Sequence, residues 1–288
     1  MRVVRHSDAN AFRHRVGEFL LRNEVLHNII LGITSRLIHQ GEAYEDVFLA
    51  HVENDVGDVL AATMRTVPNI VILSEIIDKK AIALLVDAFA EAYESLPGVN
   101  GIDDDGLQFA ELWKQKQGQD YSVMMEMGQY RLDKLIPPQN VSGQARPANQ
   151  NDFEMLVDWL IKFSAHTGMN TNYSREEAEK NITRKLEQPI LGGISIWMDE
   201  GQAVSIASAT RESENGGNVS LVYTPPEFRG RGYASAVTAH ASQLILDAGK
   251  SFCTLTTDLS FPTSNKIYQS IGYKLIGNLR HIEFENQK

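Results

Sequence analysis

Gly230 and Gly232 stand one residue apart between a strand-like run and a helix-like run, with Arg229 and Arg231 interleaved. Val219 to Thr224 reads as the strand: Val219, Leu221 and Tyr223 face one way, and Ser220, Val222 and Thr224 the other. Pro225 and Pro226 end it. Ala234, Val237, Ala241, Leu244, Ile245 and Ala248 then recur at helical spacing as far as Gly249, a good residue to follow a helix. The glycines therefore sit at a helix N-terminus. Unpaired N–H groups and the positive end of the helix dipole attract anions there, and residues without a Cβ let phosphates approach the backbone. The chemistry this loop can do is to hold a pyrophosphate.

Two known phosphate loops fit poorly. A P-loop needs Gly-Lys-Ser/Thr at the helix start, and the chain has no such run. A dinucleotide fingerprint shares Gly230-x-Gly232, but Ser235 stands where its third glycine belongs. The acidic residue expected roughly 20 positions on is also missing, since Asp247 falls inside the helix. An ordinary strand-to-helix turn with a solvated arginine pair is the plain alternative.

Val222-Tyr223-Thr224-Pro225-Pro226-Glu227-Phe228-Arg229-Gly230-Arg231-Gly232-Tyr233-Ala234 resembles motif A of the GNAT superfamily of N-acetyltransferases, Arg/Gln-x-x-Gly-x-Gly/Ala, with Arg229, Gly232 and Ala234 at its defining positions. A second stretch resembles motif B of that family. Phe252 to Thr257 reads as a strand, and after it Asn265, Tyr268, Gly272 and Tyr273 match, although only two residues separate Asn265 from Tyr268. The resemblance covers roughly the last 140 residues. It implies an acetyl-CoA donor, with Val222, Tyr223 and Thr224 along the pantetheine and acetyl groups. Arg229, Gly230, Arg231, Gly232, Tyr233, Ala234 and Ser235 would then lie around the pyrophosphate, and Asn265 would bond the pantetheine arm. Capping the short helix is Asn265's plain alternative.

Tyr268 suits the chemistry of that implied reaction. An amine attacking a thioester expels a thiolate, whose conjugate acid has a pKa of about 8.5 by analogy with cysteine. A tyrosine hydroxyl, with a reference pKa of about 10, is protonated at neutral pH and can give its proton to the sulfur. The competing role is an aromatic core residue beside Ile267 and Ile271. No residue declares itself as the base that takes the amine's proton. Glu212 and Glu214 lie beyond a strand end, where exposed turn carboxylates are common, and are not assigned.

Composition sets outer limits. The 288 residues, 43% of them hydrophobic, have length for about two domains. A net charge of −10 argues against a nucleic-acid partner and would favour a cationic amine. The single cysteine, Cys253, excludes an intrachain disulfide framework, fits a cytoplasmic location, and is expected to be buried rather than nucleophilic. No signal peptide, membrane span or metal-ligand spacing is visible, and His240 reads as a packed helix residue rather than a metal ligand.

The chain reads as two copies of one α+β fold, each a mixed, mostly antiparallel sheet flanked by helices. The stretch at 139–146, which follows Pro137-Pro138 and contains Gly143, is expected to link a first domain at 1–138 to a catalytic domain at 147–288. Helical patterns at Asp152 to Ala165 and Ser174 to Leu186, the latter with capping-box spacing from Ser174 to Glu177, precede strands at Ile190 to Met198 and Gln202 to Thr210. The first copy shows helices at Ala9 to Arg22, Glu24 to Ile38, Ile82 to Tyr93 and Leu107 to Gln115. Its strands are expected at Tyr44 to Val52, Val56 to Thr66, Asn69 to Ser74 and Tyr121 to Arg131. It lacks the glycine loop, carrying Glu75-Ile76-Ile77-Asp78-Lys79-Lys80 instead, and has no equivalent of Tyr268. It reads as a degenerate copy that completes the acceptor cleft or a homodimer interface. The segment His166 to Tyr173 has polar and aromatic groups suited to a small amine, as many polar loops do. The expected activity is direct transfer of acetyl from acetyl-CoA to a primary amine of a small acceptor, without metal. An acyl-CoA-binding regulatory protein is the alternative.

Overall fold

The computed structural model describes residues 1–39, 44–167 and 173–285. The chain forms two compact units, one of Met1–Gln129 with Ile276–Lys288 and one of Tyr130–Leu275. The first is therefore not sequential: the chain returns to it after the second is complete. The division drawn from the sequence at 139–146 does not show that return.

The first unit contains β1 (Arg2–His6), α1 (Ala9–Leu21), α2 (Asn28–His39), β2 (Val47–Glu53), β3 (Val59–Thr66), β4 (Val71–Leu73), α3 (Lys80–Ala92), β5 (Gly98–Ile102), α4 (Asp105–Gln117) and most of β6 (Tyr121–Leu132). Its last strand is β12 (Lys274–Phe284), the end of the chain, which runs antiparallel to β5 from Leu279↔Ile102 to Glu283↔Gly98. The strand order is β1-β2-β3-β4-β5-β12-β6. β1 to β4 pair antiparallel in sequence, and β4 and β5 pair parallel. Sequence patterning missed β1 and β5, which are short, and β5 carries Gly98 and Gly101, poor strand formers. Both glycines are needed. A Cβ on Gly101 would lie 2.4 Å from the backbone nitrogen of Gly106, and one on Gly98 would lie 2.3 Å from the Ile282 carbonyl oxygen.

The second unit contains β7 (Gln144–Pro147), α5 (Phe153–Thr167), α6 (Arg175–Glu187), β8 (Ile194–Asp199), β9 (Gln202–Glu212), β10 (Gly216–Tyr223), α7 (Tyr233–Asp247), β11 (Phe252–Asp258) and α8 (Pro262–Ser270). The order β11-β10-β9-β8-β7 repeats the plan of the first unit: antiparallel neighbours, then one parallel pair, β10 with β11. α6 starts with the expected capping box, as Ser174 accepts from the Glu177 N–H and the Glu177 carboxylate accepts from that of Ser174. The stretch expected to be a linker is partly built into the sheet, because Gln144 to Pro147 pair with Met198 to Ser195.

Two apolar clusters cover the second sheet. One joins Val219, Val237, Ala241, Ile245, Leu255 and Tyr273, the other Leu156, Trp159, Ile182, Ile206, Leu221 and Tyr223. Val219 and Leu221 are thus in different clusters, against the strict alternation expected from sequence. The cause is local. Between Ser220↔Ser208 and Tyr223↔Ile206 the strand β10 spends one residue more than β9, a bulge, and Leu221 takes φ 52° there. The extra residue brings Val222 back to the α7 side and turns Leu221 and Tyr223 toward α5.

Candidate acetyl-donor site

The parallel pairing of β10 and β11 runs Gly216↔Phe252, Gly217↔Cys253, Asn218↔Thr254 and then stops, although β10 continues to Tyr223 and β11 to Asp258. Asn218 locks the last rung. Its buried amide donates to Thr254 Oγ1 at 3.1 Å, and its Oδ1 accepts from Thr210 Oγ1 at 2.9 Å and from Arg211 Nη2 at 2.8 Å. Beyond it the strands part, and the bulge bends β10 further. The edge of β10 that would have faced β11 is left with backbone donors and acceptors that an extended, amide-bearing ligand could pair.

Val222 and Thr224, expected along that ligand, are half-buried at the open end. Thr224 Oγ1 lies 2.8 Å from Ser205 Oγ, which also donates to the Tyr223 carbonyl at 3.1 Å. Tyr223 is buried, 4% exposed, and its hydroxyl has no hydrogen-bond partner. Burial raises its pKa.

A 3₁₀ turn at Pro226–Phe228 leads into the glycine loop. Arg229 is exposed and its Nε donates to the Thr224 carbonyl at 3.0 Å, folding the loop back on the strand end. Gly230 has φ 79° with open space where a Cβ would stand. Gly232 is the N-cap of α7 at φ 82°, ψ 0°, and provides no side-chain cap, so the first-turn N–H groups of Tyr233, Ala234 and Ser235 are left for a ligand. Arg231 is exposed beside them. Tyr233 offers only its backbone to the loop: its side chain is buried and its hydroxyl donates to Asp199 Oδ2. Ser142 Oγ donates to the same carboxylate oxygen at 2.9 Å, and these two donors hold Asp199 below the usual carboxylate range. Asp199 thereby pins the start of α7 to the end of β8. Nothing in the sequence pairs positions 199 and 233.

Asn265, on α8, donates through Nδ2 to the carbonyls of Asp258 and Leu259 at 3.3 and 3.2 Å, tying the helix to the end of β11. It does not cap the helix, whose N-cap is Phe261. Its buried Oδ1 has no partner, and a ligand amide N–H would satisfy it. Tyr268, one turn on, is half-buried against the α7 cluster, edge-on to Tyr273 with ring centroids 6.3 Å apart. Burial alone pushes its hydroxyl up to about 12, with no hydrogen bond contributing. Packing residue and proton donor are thus compatible roles for this side chain. Cys253 is buried, donates to the Ser242 carbonyl at 3.2 Å and is pushed up to about 12 by burial, which leaves it no nucleophilic part.

The splayed strands, the glycine-capped helix and the unsatisfied Asn265 oxygen fit acetyl-CoA by shape and donor chemistry. In the first unit the matching position does not. There α3 begins at Lys80, the last residue of the Glu75–Lys80 run, and Asp78 Oδ1 accepts the Lys80 N–H at 3.0 Å, so a carboxylate of the chain itself stands at the helix start. Glu212 pairs with Lys250 at 2.7 Å, where β9 leaves toward the start of β10, the end opposite Tyr223. Of the segment His166 to Tyr173, residues 168–172 lie outside the described residues. His240 is half-buried with its pKa lowered by burial, and no group of metal-binding side chains occurs among the described residues. No helix among them is long and apolar enough to cross a membrane.

Comparison with known proteins places this geometry. Residues 199–282, which include the whole glycine loop and α8, match the model of the FR47-like protein family. No curated protein sequence matches the chain significantly. Among solved structures, a Drosophila protein superposes with a TM-score of 0.71 at 11% identity, over 98% of both chains. A GNAT-family acetyltransferase from Colwellia psychrerythraea gives 0.57 at 10% identity over 100% of both. A tandem GNAT protein from the clavulanic acid biosynthesis pathway, solved without AcCoA, gives 0.58 at 10% identity over 100% of this chain and 99% of that one. The chain has the fold of the GNAT N-acetyltransferases, in tandem.

Proposed function

We propose that the second unit transfers an acetyl group from acetyl-CoA to a primary amine, and that the first unit is a copy that does not bind the donor. The observation that carries the reading is the parting of β10 and β11 beyond Asn218 beside a helix start capped only by Gly232. Bound acetyl-CoA supplies the thioester that an amine attacks. The chain's part is to place and stabilise. The N–H groups of Tyr233, Ala234 and Ser235, with Arg231 beside them, hold the pyrophosphate; the open edge of β10 and Asn265 Oδ1 hold the pantetheine amides. Tyr268 then donates its proton to the leaving sulfur. A phenol pushed up to about 12 remains protonated at neutral pH, and the phenolate it becomes is basic enough to recover a proton at once.

Calorimetry of the full chain tests the division of labour. One acetyl-CoA is expected to bind per chain, because Asp78 stands at the start of α3, the helix of the first unit that matches α7. Two equivalent sites would overturn the assignment of a donor-free first unit.

A further inference from the structure

We propose that His166 is the base that takes the acceptor's proton, and that Trp159 and Tyr223 form with it a subsite for a primary amine carried on an aromatic or apolar body. This deepens, and rests on, the acetyl-transfer reading. His166 occupies the last turn of α5 and is exposed. Its Nδ1 lies 2.7 Å from the Lys162 carbonyl oxygen. A carbonyl only accepts, so Nδ1 carries the proton and Nε2 presents a lone pair. The imidazole meets the Tyr223 ring edge to face with centroids 6.1 Å apart, and Trp159 meets Tyr223 likewise at 5.7 Å.

Tyr223 is the last residue of β10, the strand whose open edge leads to the thioester, so it links the imidazole to the reacting end of the donor site. Its buried hydroxyl lacks a partner, a state native proteins tolerate mainly where a ligand or water answers it. The charged groups acting on this corner come in opposite pairs: Glu227 and Arg229 on Tyr223, Glu177 and Arg184 on the adjoining Tyr173. Among the described residues the charges acting on these two tyrosines are balanced, which favours no polycation, and the ring beside the imidazole is aromatic.

The proton balance closes. His166 Nε2 accepts one proton from the ammonium, and the freed lone pair attacks the thioester carbonyl carbon. The C–N bond forms as the C–S bond breaks, its electron pair leaving on sulfur, which receives the Tyr268 hydroxyl proton. The surplus proton on nitrogen returns through solvent to Tyr268, and His166 releases its own to solvent.

The test uses the full chain, acetyl-CoA and phenethylamine, with thiol release followed across pH and acetyl-CoA affinity measured separately. Wild type is expected to acetylate phenethylamine in preference to spermidine. His166→Gln can still donate to the Lys162 carbonyl but cannot hold a proton, and should lose about 10² to 10⁴ in kcat/KM at neutral pH with acetyl-CoA affinity unchanged. That deficit should shrink as rising pH deprotonates the amine without help, and added imidazole should restore part of the activity of His166→Ala. Unchanged turnover and pH profile in both variants would overturn the role of His166. Spermidine acetylated and phenethylamine untouched would overturn the subsite, whereas failure of wild type to bind acetyl-CoA would overturn the underlying reading instead.

Discussion

Tyr268→Phe should fold, bind acetyl-CoA as wild type does, and lose about 10² to 10⁴ in the rate of acyl transfer, equal to roughly 3–5 kcal/mol of barrier. The substitution removes one hydroxyl that makes no hydrogen bond among the described residues and leaves the ring packed edge-on to Tyr273, so neither stability nor the α7 cluster should suffer. The pH dependence follows from the same burial. A phenol raised to about 12 is in its proton-donating form below that pH and is lost as an acid only above it, so it should contribute no alkaline fall in rate up to pH 10. Single-turnover kinetics isolate the chemical step from product release, which would otherwise hide part of the loss. Wild-type chemistry in the variant would reduce Tyr268 to a packing residue.

Gly232→Val should lower acetyl-CoA affinity about 100-fold or more, by displacing the N–H groups that meet the pyrophosphate; two charge-assisted hydrogen bonds are enough to account for that loss. Two features of the structure make the position intolerant. Its φ of 82° is a region β-branched residues essentially never adopt, and even a Cβ would stand 2.9 Å from Val141 Cγ2. Gly230→Ala is the control. It meets the same left-handed backbone at φ 79° but open space, so it should cost some stability and keep affinity within about tenfold. Calorimetry with acetyl-CoA, alongside thermal unfolding, separates the two effects. Wild-type affinity in a folded Gly232→Val would remove the pyrophosphate from this loop.

The proposed donor site was legible because its parts are local. Gly232 at a helix start and Asn265 with Tyr268 on α8 can be read from short spacings, and the structure puts them where a strand-loop-helix reading implies. Tandem order was also legible, since each unit repeats helices, antiparallel strands and one parallel pair. What escaped depends on residues far apart in the chain. The return of β12 to pair with β5, the anchoring of Tyr233 by Asp199, and the aromatic corner of Trp159, His166 and Tyr223 have no sequence period to announce them. The bulge at Leu221 misled the alternation rule because a non-glycine residue at positive φ leaves no compositional mark.

Release of free thiol from acetyl-CoA by the full chain, with a panel of primary amines and the acetylated products identified by mass spectrometry, tests the central claim most directly. Acetyl transfer predicts thiol and acetylated amine in equal amounts with at least one amine, and loss of both together in Tyr268→Phe. Tight acetyl-CoA binding with no thiol released by any amine would contradict it and leave a protein that holds the donor without using it.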